Sequence, residues 1–396
     1  MSPTNRFASH WTLDPSVAYL NHGSFGACPR AVLDVQASLR ERLEREPCDF
    51  LWRDLPGLLA GARAELGSLV GADPDDLAFV PNATTGVNAV LRSLRLEPGD
   101  EILTTDHVYP ACRKAIEWVA ARTGAKAVVA SVPFPIRNEE EVVAPVLASV
   151  SPRTRLALLD HVTSSTGLVF PLERLVRELA ARGVDTLVDG AHAPGMVPLD
   201  LGSLGAAYYA ANAHKWLCAP KGAAFLHVRR DRRRLVHPVV ISHGYEPDEE
   251  GDRFRAEFDW TGTLDPTAWL AIPASIRHLA SLVTGGWPEV MRRNRELVLA
   301  ARDVLLGALG VEAPAPPGML GALASIPLPA PAPGSPVAGL PPDGLSRWFR
   351  ERGVETVFFR WPGPAGKVVR LSAQLYNDPE QYERLAGLLV RAIGES

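Results

Sequence analysis

Short apolar runs alternate with amphipathic stretches through the centre of the chain. Seven β-rich runs lie at residues 77–80, 101–105, 125–131, 154–162, 185–192, 206–214 and 222–228. Helical patterns separate several of these runs, at residues 86–94, 111–123, 139–150 and 171–182. Strand, crossover helix and strand repeated in this way predict a mostly parallel sheet with helices on both faces. Such sheets bind ligands beyond the carboxyl ends of their strands, so the residues that follow the strands are the ones to inspect.

The flanking regions lack this alternation. Residues 29–70 and 267–308 have helical periodicity, and a Pro/Ala-rich segment at 313–344 predicts a surface loop around the strand ALASIPL. A helix near 344–352, strands in VETVFFRW and KVVRLSAQ, and a last helix from Pro379 predict a small α+β unit. We therefore predict three parts: an N-terminal segment (1–20) that packs with the small domain, a large α/β domain (21–270) and a small C-terminal α+β domain (271–396).

Composition and charge narrow the class of partner. Of 396 residues, 46% are hydrophobic and 22% are charged, as in an ordinary globular protein. The formal net charge of -4 argues against a protein that binds polyanions. The basic run at 229–234 is predicted to be a solvated helix start rather than a phosphate or nucleic-acid patch. We expect no nucleic-acid partner.

The cysteines and the apolar run lengths bear on metal binding and on location. Cys28, Cys48, Cys112 and Cys218 form no CxxC motif and no Cys/His pair with metal-ligand spacing. The N-terminus has no apolar signal region, and nowhere do about 18 apolar residues run together. We expect reduced thiols, no metal site, no membrane partner and a cytoplasmic location.

The stretch NAHKWLCAPKG, residues 212–222, contains the lysine of most interest. Lys215 follows Asp189 by one strand and loop, so a parallel topology would bring both to the same sheet edge. Its apolar neighbours favour a partly desolvated amine with a lowered pKa, which can form a Schiff base. For a lone lysine, a surface charge is the ordinary interpretation. The chain has only four other lysines, and Lys221 in its Pro-Lys-Gly turn is the nearest of them.

Two further motifs supply complementary chemistry. VDGAHAPG has Asp189 at the end of an apolar strand, as a helix cap or as the partner of a protonated ring nitrogen. PNATTGVNAVL opens a helix with Thr84 and Thr85, either as an ordinary N-terminus or as a phosphate site. It lacks the GxxxxGK[ST] and GxGxxG patterns of nucleotide sites. Together with Lys215, these motifs are the parts that pyridoxal phosphate requires.

Five motifs in order carry a family resemblance: YLNHGSFG, VDGAHAPG, HKWLCAPKG, WTGTLDPTAWL and RLSAQLYN. Over residues 19–377 the chain resembles the class V aminotransferase superfamily of fold type I pyridoxal phosphate (PLP) enzymes, in its isopenicillin N epimerase-like branch. The resemblance implies a mostly parallel seven-stranded sheet in a large domain, with a small α+β C-terminal domain. It also implies PLP as cofactor, a small amino-acid-type substrate, and a homodimer with shared active sites.

The resemblance implies a role for each matched residue. Lys215 would be the Schiff-base lysine, Asp189 the partner of the pyridine nitrogen, and His192 a cofactor neighbour. The phosphate would be contacted by Thr84, Thr85 and His214, and from the neighbouring subunit by Thr261, Gly262 and Thr263. Either His107 or Tyr109 would stack on the ring, and we favour Tyr109; Ser164 would bind the ring hydroxyl. Arg370 would bind the α-carboxylate of the substrate. The substrate entrance would be lined by Asn21, His22, Gly23 and Ser24.

The implied reaction starts with an aldimine between cofactor and amino acid, whose Cα proton is then removed with Lys215 as base. The proton returns to the opposite face in an epimerase, or a β-sulfur group leaves in a C–S lyase such as hercynylcysteine sulfoxide lyase. Epimerisation needs a second acid, and both His107 and Tyr109 remain candidates. Transamination and an inactive PLP-binding module are the alternatives. A persulfide relay is disfavoured, because cysteine desulfurases of this superfamily carry a cysteine well after the lysine and none follows Cys218 here.

Overall fold

A computed structural model of the protein describes residues 5–245, 253–361 and 366–394. Twelve strands lie in these ranges: β1 Ala18–Tyr19, β2 Leu77–Val80, β3 Glu101–Thr105, β4 Lys126–Ala130, β5 Thr154–Asp160, β6 Asp185–Asp189, β7 Tyr208–Asn212, β8 Ala224–Val228, β9 Leu323–Pro327, β10 Val354–Glu355, β11 Val357–Arg360 and β12 Lys367–Ser372. Each of the seven predicted apolar runs contains one strand, β2 to β8.

Fourteen α-helices lie in the same ranges: α1 His22–Phe25, α2 Arg30–Arg45, α3 Leu55–Val70, α4 Ala83–Ser93, α5 Pro110–Thr123, α6 Glu140–Ala148, α7 Leu172–Ala180, α8 Leu201–Leu204, α9 Arg253–Asp259, α10 Thr267–Leu270, α11 Ile272–Ser281, α12 Gly286–Leu309, α13 Pro342–Arg350 and α14 Pro379–Ile393. Short 3-10 turns lie at Ala8–His10, Pro74–Asp76, Arg230–Leu235 and Pro317–Met319, and a π turn at Asp49–Asp54. None of the described helices is both long and apolar enough to cross a bilayer.

The central sheet has seven strands in the order β2-β8-β7-β6-β5-β3-β4. The five strands β7, β6, β5, β3 and β4 are parallel to one another, and β8 runs antiparallel to β2 and β7 on either side of it. Strands β7 and β8 are buried at every position, which is why their sequences are mainly apolar, with Asn212 and His227 as the buried polar residues. The predicted mostly parallel seven-stranded sheet is confirmed.

Helices cover both faces of this sheet, because successive side chains of a strand point to opposite sides. Leu158 and Leu187 pack in one buried cluster with apolar side chains of α4 and α5. The next residues, Leu159 and Val188, pack in a second cluster with side chains of α3 and α7. The loops at the strands' carboxyl ends are thus held between two packed layers.

The C-terminal part forms a three-stranded antiparallel sheet in the order β11-β12-β9, which contacts α12. Strand β1 pairs with β10 in parallel, Ala18 opposite Val354. Asn5 donates hydrogen bonds to the carbonyl oxygens of Leu375 (2.7 Å) and Asn377 (3.0 Å). The start of the described chain therefore lies against its C-terminal part, while the predicted domain boundaries at residues 20 and 270 stay predictions.

The basic run lies at the amino end of β6, away from the strands' carboxyl ends. Arg229 and Arg232 form ion pairs with Asp185 and Asp231 there, and the run itself forms a short 3-10 turn. Arg229, Arg232 and Arg233 of the run therefore have carboxylate partners.

Candidate active site

A cavity of about 170 Å³ lies beyond the carboxyl ends of the central strands. Its walls come from α1, the start of α4 and the residues that end or follow β3, β5, β6 and β7. The lining residues are Ser24, Phe25, Asn82, Ala83, Thr84, Tyr109, Asp160, Val162, Ser164, Asp189, Ala191, His192, Asn212, His214 and Lys215. This is the position at which open α/β sheets bind ligands.

Lys215 follows β7 and directs its amine to this cavity. Removal from bulk water, together with the nearby Arg370 guanidinium, lowers the pKa of Lys215 to about 8. A fraction of the amine of roughly one in ten is then unprotonated at pH 7, against about one in three thousand for an ordinary lysine. The amine is suited to nucleophilic and base chemistry near neutral pH.

His192 lies between Lys215 and Trp216. Its Nε2 is 3.2 Å from Lys215 Nζ, and its Nδ1 is 3.3 Å from Trp216 Nε1. An indole N–H can only donate, so Nδ1 is the acceptor and the neutral ring carries its proton on Nε2. Burial and the charge of Lys215 lower the pKa of His192 well below its usual range, which keeps the ring neutral. Nε2–H can donate to Lys215 only when that amine is unprotonated, so the contact favours the free base.

The motif YLNHGSFG, residues 19–26, packs against the loop that carries Lys215. Gly26 has φ +68, and a Cβ there would lie 2.1 Å from the His214 carbonyl oxygen and 2.9 Å from Lys215 Cα. His22 Nε2 donates to the Lys215 carbonyl oxygen at 3.0 Å, and its Nδ1 accepts from Tyr376 Oη at 2.8 Å. Glycine at position 26 is therefore required by both its backbone angle and its surroundings.

Two buried carboxylates end adjacent strands beneath the cavity. Asp189 Oδ1 accepts from Ala191 N–H, and its Oδ2 accepts from the Cys112 thiol, both at 3.1 Å. Asp160 Oδ1 accepts from Tyr109 N–H at 3.2 Å, but its Oδ2 has no hydrogen-bond partner among the described residues. A cavity floor of this kind suits a ligand that brings polar ring atoms.

The start of α4 forms another wall. Asn82 caps this helix, accepting from the N–H of Thr85 (2.8 Å) and from its hydroxyl (3.0 Å), and Asn212 Oδ1 accepts from Ala83 N–H (2.8 Å). Thr84 lines the cavity, whereas the Thr85 hydroxyl is taken up by the cap. A helix N-terminus with a threonine at the cavity wall suits an anion such as phosphate.

Arg370 lies on β12 and is 1% exposed. Nη1 donates to the Ser164 carbonyl (2.7 Å) and hydroxyl (3.3 Å) oxygens, and Nη2 to Asn21 Oδ1 (3.2 Å) and Ser24 Oγ (2.9 Å). Burial lowers the pKa of Arg370 to about 10, so the group stays charged at neutral pH. Because all four acceptors are neutral, they leave the buried charge uncompensated. Ser24 and Ser164 line the cavity, so the guanidinium lies directly behind the cavity wall, and its Nε–H has no hydrogen-bond partner among the described residues.

The structure does not bring every predicted residue to the cavity. His107 is turned away: its Nδ1 bonds Thr166 Oγ1 (2.7 Å), its Nε2 bonds the Val132 carbonyl (3.0 Å), and its ring packs 4.5 Å from that of Trp361. Both nitrogens are therefore occupied elsewhere, and Tyr109 is the member of the pair that lines the cavity. The structure thus places Tyr109 rather than His107 at the cavity, and the stacking and catalytic roles of the pair stay predictions.

Of the predicted entrance residues, Ser24 alone among 21–24 lines the cavity. Asn21 does not line the cavity and instead accepts a hydrogen bond from Arg370, while His22 bonds the backbone carbonyl of Lys215. Gly23 donates its N–H to Ser372 Oγ (3.1 Å) and packs against Leu323. Thr261, Gly262 and Thr263 follow α9 and do not line this cavity within their own chain.

Sequence reasoning missed Asp160, Cys112 and Asn212, whose side chain accepts from Ala83 N–H at the start of α4. Asp160 had a usable signal, since it ends the apolar run LALLD just as Asp189 ends LVD. Cys112 gave none, because its contact with Asp189 joins residues 77 positions apart.

Comparison with known proteins agrees with this geometry. Residues 55–328 match the family model described as aminotransferase class-V. The chain is 42% identical to an isopenicillin N epimerase of Amycolatopsis lactamdurans, covering 96% of each chain. It is 32% identical to a probable L-cysteine desulfhydrase, chloroplastic, of Arabidopsis thaliana, covering 96% of this chain and 83% of the relative. A solved complex of the cystine C–S lyase C-DES with cysteine persulfide superposes with a TM-score of 0.80 at 22% identity, covering 96% of this chain and 99% of that one. The likeness confirms the predicted fold type I architecture.

Proposed function

The chain belongs to the class V aminotransferase family, and from this premise we propose that it uses pyridoxal phosphate to epimerise an amino-acid substrate at Cα. The observation that carries the proposal is the Lys215 amine, which faces the cavity with a pKa of about 8 and with His192 Nε2 at 3.2 Å. The buried Asp189 lies in the same cavity, which also extends to the start of α4.

The residues present fit this cofactor. Asp160 Oδ2, a buried polar atom that lacks a partner among the described residues, calls for a polar ligand at the cavity floor. When bound, pyridoxal phosphate supplies an electron sink for the carbanion formed at the substrate Cα. Asp189 would face its ring nitrogen, Thr84 and His214 its phosphate, Ser164 its ring hydroxyl and Lys215 its aldehyde.

Two groups of the chain could move the substrate proton. Lys215 would remove it from Cα, and the His192 Nε2–H bond would favour the unprotonated amine that this step needs. Burial and the nearby Cys112 and Asp189 raise the pKa of Tyr109, so its phenol holds a proton that it could deliver from a second position in the cavity. Arg370 would hold the α-carboxylate and fix the orientation of Cα–H.

Epimerisation comes first because the relative named isopenicillin N epimerase is 42% identical over nearly the whole chain. β-Elimination of a sulfur group is the second candidate, since a relative named probable L-cysteine desulfhydrase is 32% identical. Both reactions begin with removal of the same proton by the same base. Transamination remains the third possibility, because it would require a second half-reaction after that step.

We also propose a homodimer in which Thr261, Gly262 and Thr263 of each subunit reach the phosphate bound by the other. Thr263 is exposed in the single chain, and Phe25 beside the cavity is 68% exposed. Trp52, 71% exposed, stacks on Trp260 directly before this segment. Large exposed apolar side chains of this kind suit a subunit interface.

The unpaired cysteines support the predicted cytoplasmic location.

The cofactor assignment is tested with purified protein and added pyridoxal phosphate. We expect a visible absorption band, and borohydride reduction followed by peptide mapping should find the label on Lys215. The Lys215→Ala variant should show no stable label, while Lys221→Ala should behave as the parent does. A colourless parent, or a label on another lysine, would refute the proposal.

The reaction is tested with isopenicillin N and L-cysteine as probes in deuterated water. Inversion at the α-carbon with uptake of deuterium supports epimerisation. Pyruvate, ammonia and sulfide formed from L-cysteine without inversion of isopenicillin N would instead establish the lyase. A 2-oxo acid that appears only with an added amino acceptor would establish the aminotransferase.

A further inference from the structure

Asp160 and Asp189 form a pair of buried acids, and the proposed proton transfers give Asp160 no role. They are register partners on the adjacent parallel strands β5 and β6 and are 2% and 3% exposed. Neighbouring strands lie about 4.8 Å apart, and register partners point to the same face of a sheet. Both side chains line the same cavity. Two buried carboxyl groups at such a spacing do not ionise together, so the pair holds a proton.

The surroundings decide which member is neutral. Burial raises the pKa of Asp189, but its two hydrogen bonds, from Ala191 N–H and from the Cys112 thiol, and the positive charge of Lys215 oppose that rise and favour the ionised form. Asp160 accepts only from Tyr109 N–H, and its Oδ2 has no partner in the described chain. Burial and the charge of Asp189 raise the pKa of Asp160 well above its usual range. The negative charge therefore resides on Asp189 and the proton on Asp160.

Other charged and titratable groups around the pair do not reverse this assignment. Lys215 and Arg370 are the nearby cations, and of the two only Lys215 acts on an acid of the pair, favouring ionised Asp189. His192 is neutral, because burial lowers its pKa well below the usual range. The thiol of Cys112 stays protonated, because burial and Asp189 raise its pKa.

We propose that Asp160 is a neutral carboxylic acid whose Oδ2–H donates a hydrogen bond to the bound cofactor ring and keeps the negative charge of the pair on Asp189. The inference rests on the proposed function, since the ring is that of pyridoxal phosphate. This ring carries a nitrogen that binds a proton and a hydroxyl oxygen that accepts hydrogen bonds on the same edge. Asp189 would meet the first, and Asp160 would join Ser164 at the second. Asp160 is thus a cofactor-positioning residue.

Three substitutions separate the two roles. Asp160→Asn keeps a donor and is uncharged, so it imitates a protonated acid; Asp160→Leu has a similar shape and no donor; Asp189→Asn removes the charge that faces the ring nitrogen. Asp185→Asn, at the opposite end of β6 and paired with Arg232, is the matched control. The measurements are the dissociation constant for pyridoxal phosphate, the visible spectrum of the bound protein against pH, and the unfolding temperature of the cofactor-free protein.

We expect Asp160→Asn to keep the parent's affinity for pyridoxal phosphate within about threefold, with the same pH dependence of the visible band. Asp160→Leu should weaken that affinity about tenfold, because it loses one hydrogen bond. Asp189→Asn should weaken it more than either. Cofactor-free Asp160→Leu should unfold no lower than the parent, since it removes a buried acid with an unpartnered oxygen.

Two results would overturn the inference while the parent binds the cofactor normally. Affinity and spectrum unchanged in Asp160→Leu would mean that Asp160 makes no bond to the ring. A loss in Asp160→Asn as large as that in Asp189→Asn would mean that Asp160 carries the charge. A parent that gains no visible band with added pyridoxal phosphate would refute the proposed function itself, and this inference with it.

Discussion

Replacing Arg370 by methionine tests how the substrate is held. The substitution removes a buried charge that is surrounded by neutral acceptors, Ser164, Asn21 and Ser24 among them, and leaves a side chain of similar length. A guanidinium fork makes two charge-assisted hydrogen bonds to a carboxylate, each contributing about 1.5–3 kcal/mol. Losing both corresponds to about 3–6 kcal/mol, or a fall in kcat/KM of roughly 10² to 10⁴.

The decisive assay compares a substrate with its α-carboxamide analogue. The parent should prefer the carboxylate, because only an anion neutralises the Arg370 charge. In Arg370→Met that preference should collapse, with the carboxylate losing most of its kcat/KM and the amide losing little. Arg302→Met is the control: Arg302 is also a buried arginine, but it pairs with Asp303 on α12, away from the cavity. It should alter stability without altering the preference.

An Arg370→Met protein that folds, binds pyridoxal phosphate and still prefers the carboxylate by the parent's factor would refute the carboxylate-binding role of Arg370. A uniform loss for both substrates, matched in Arg302→Met, would also refute it, because general destabilisation would then account for the effect.

Two further predictions concern the lysine. The rate at which cofactor-free protein captures pyridoxal phosphate should rise with pH with a midpoint of about 8, since the unprotonated Lys215 amine is the reactive form and its pKa is lowered to about 8. A midpoint of about 10.5 in stopped-flow absorbance would show that burial does not lower the pKa of this amine. Trp216→Phe removes the donor that fixes the His192 tautomer, so the midpoint of the capture rate against pH should move upward. Adding His192→Ala to Trp216→Phe should cause no further shift of that midpoint. An unchanged midpoint in Trp216→Phe would show that the Trp216–His192 contact does not govern the pKa of the Lys215 amine.

Much of the fold follows from local pattern. Mainly apolar runs predicted β7 and β8, because both strands are buried at every position. Helix α5 ends where Gly124 adopts φ +75, a stop signal that is local to the chain. The predicted runs for β5 and β6 are too long at their C-terminal ends, since the chain leaves the sheet after Asp160 and Asp189 and contributes Val162, Ala191 and His192 to the cavity wall.

The roles of the candidate site residues stay predictions, but their placement is informative. His107 and Tyr109 are two residues apart after one strand, and no local pattern distinguishes them. The difference comes from aromatic side chains of distant segments, Phe134, Phe170 and Trp361, which surround the His107 ring and leave Tyr109 to the cavity. Packing between segments, rather than propensity within one, chose the cavity residue.

The sequence alone thus determined the order of strands and helices along the chain, the short list of reactive groups and, through its motifs, the family. Those features depend on residue type and on separations of a few positions. Tertiary structure alone decided which groups meet: Arg370 with Ser164 across 206 positions, Asp160 beside Asp189 through strand register, and Trp216 behind His192. Charge, desolvation and hydrogen bonding act over a few ångströms in space, so the pKa of Lys215 and the partner of each acid exist only once the chain is folded.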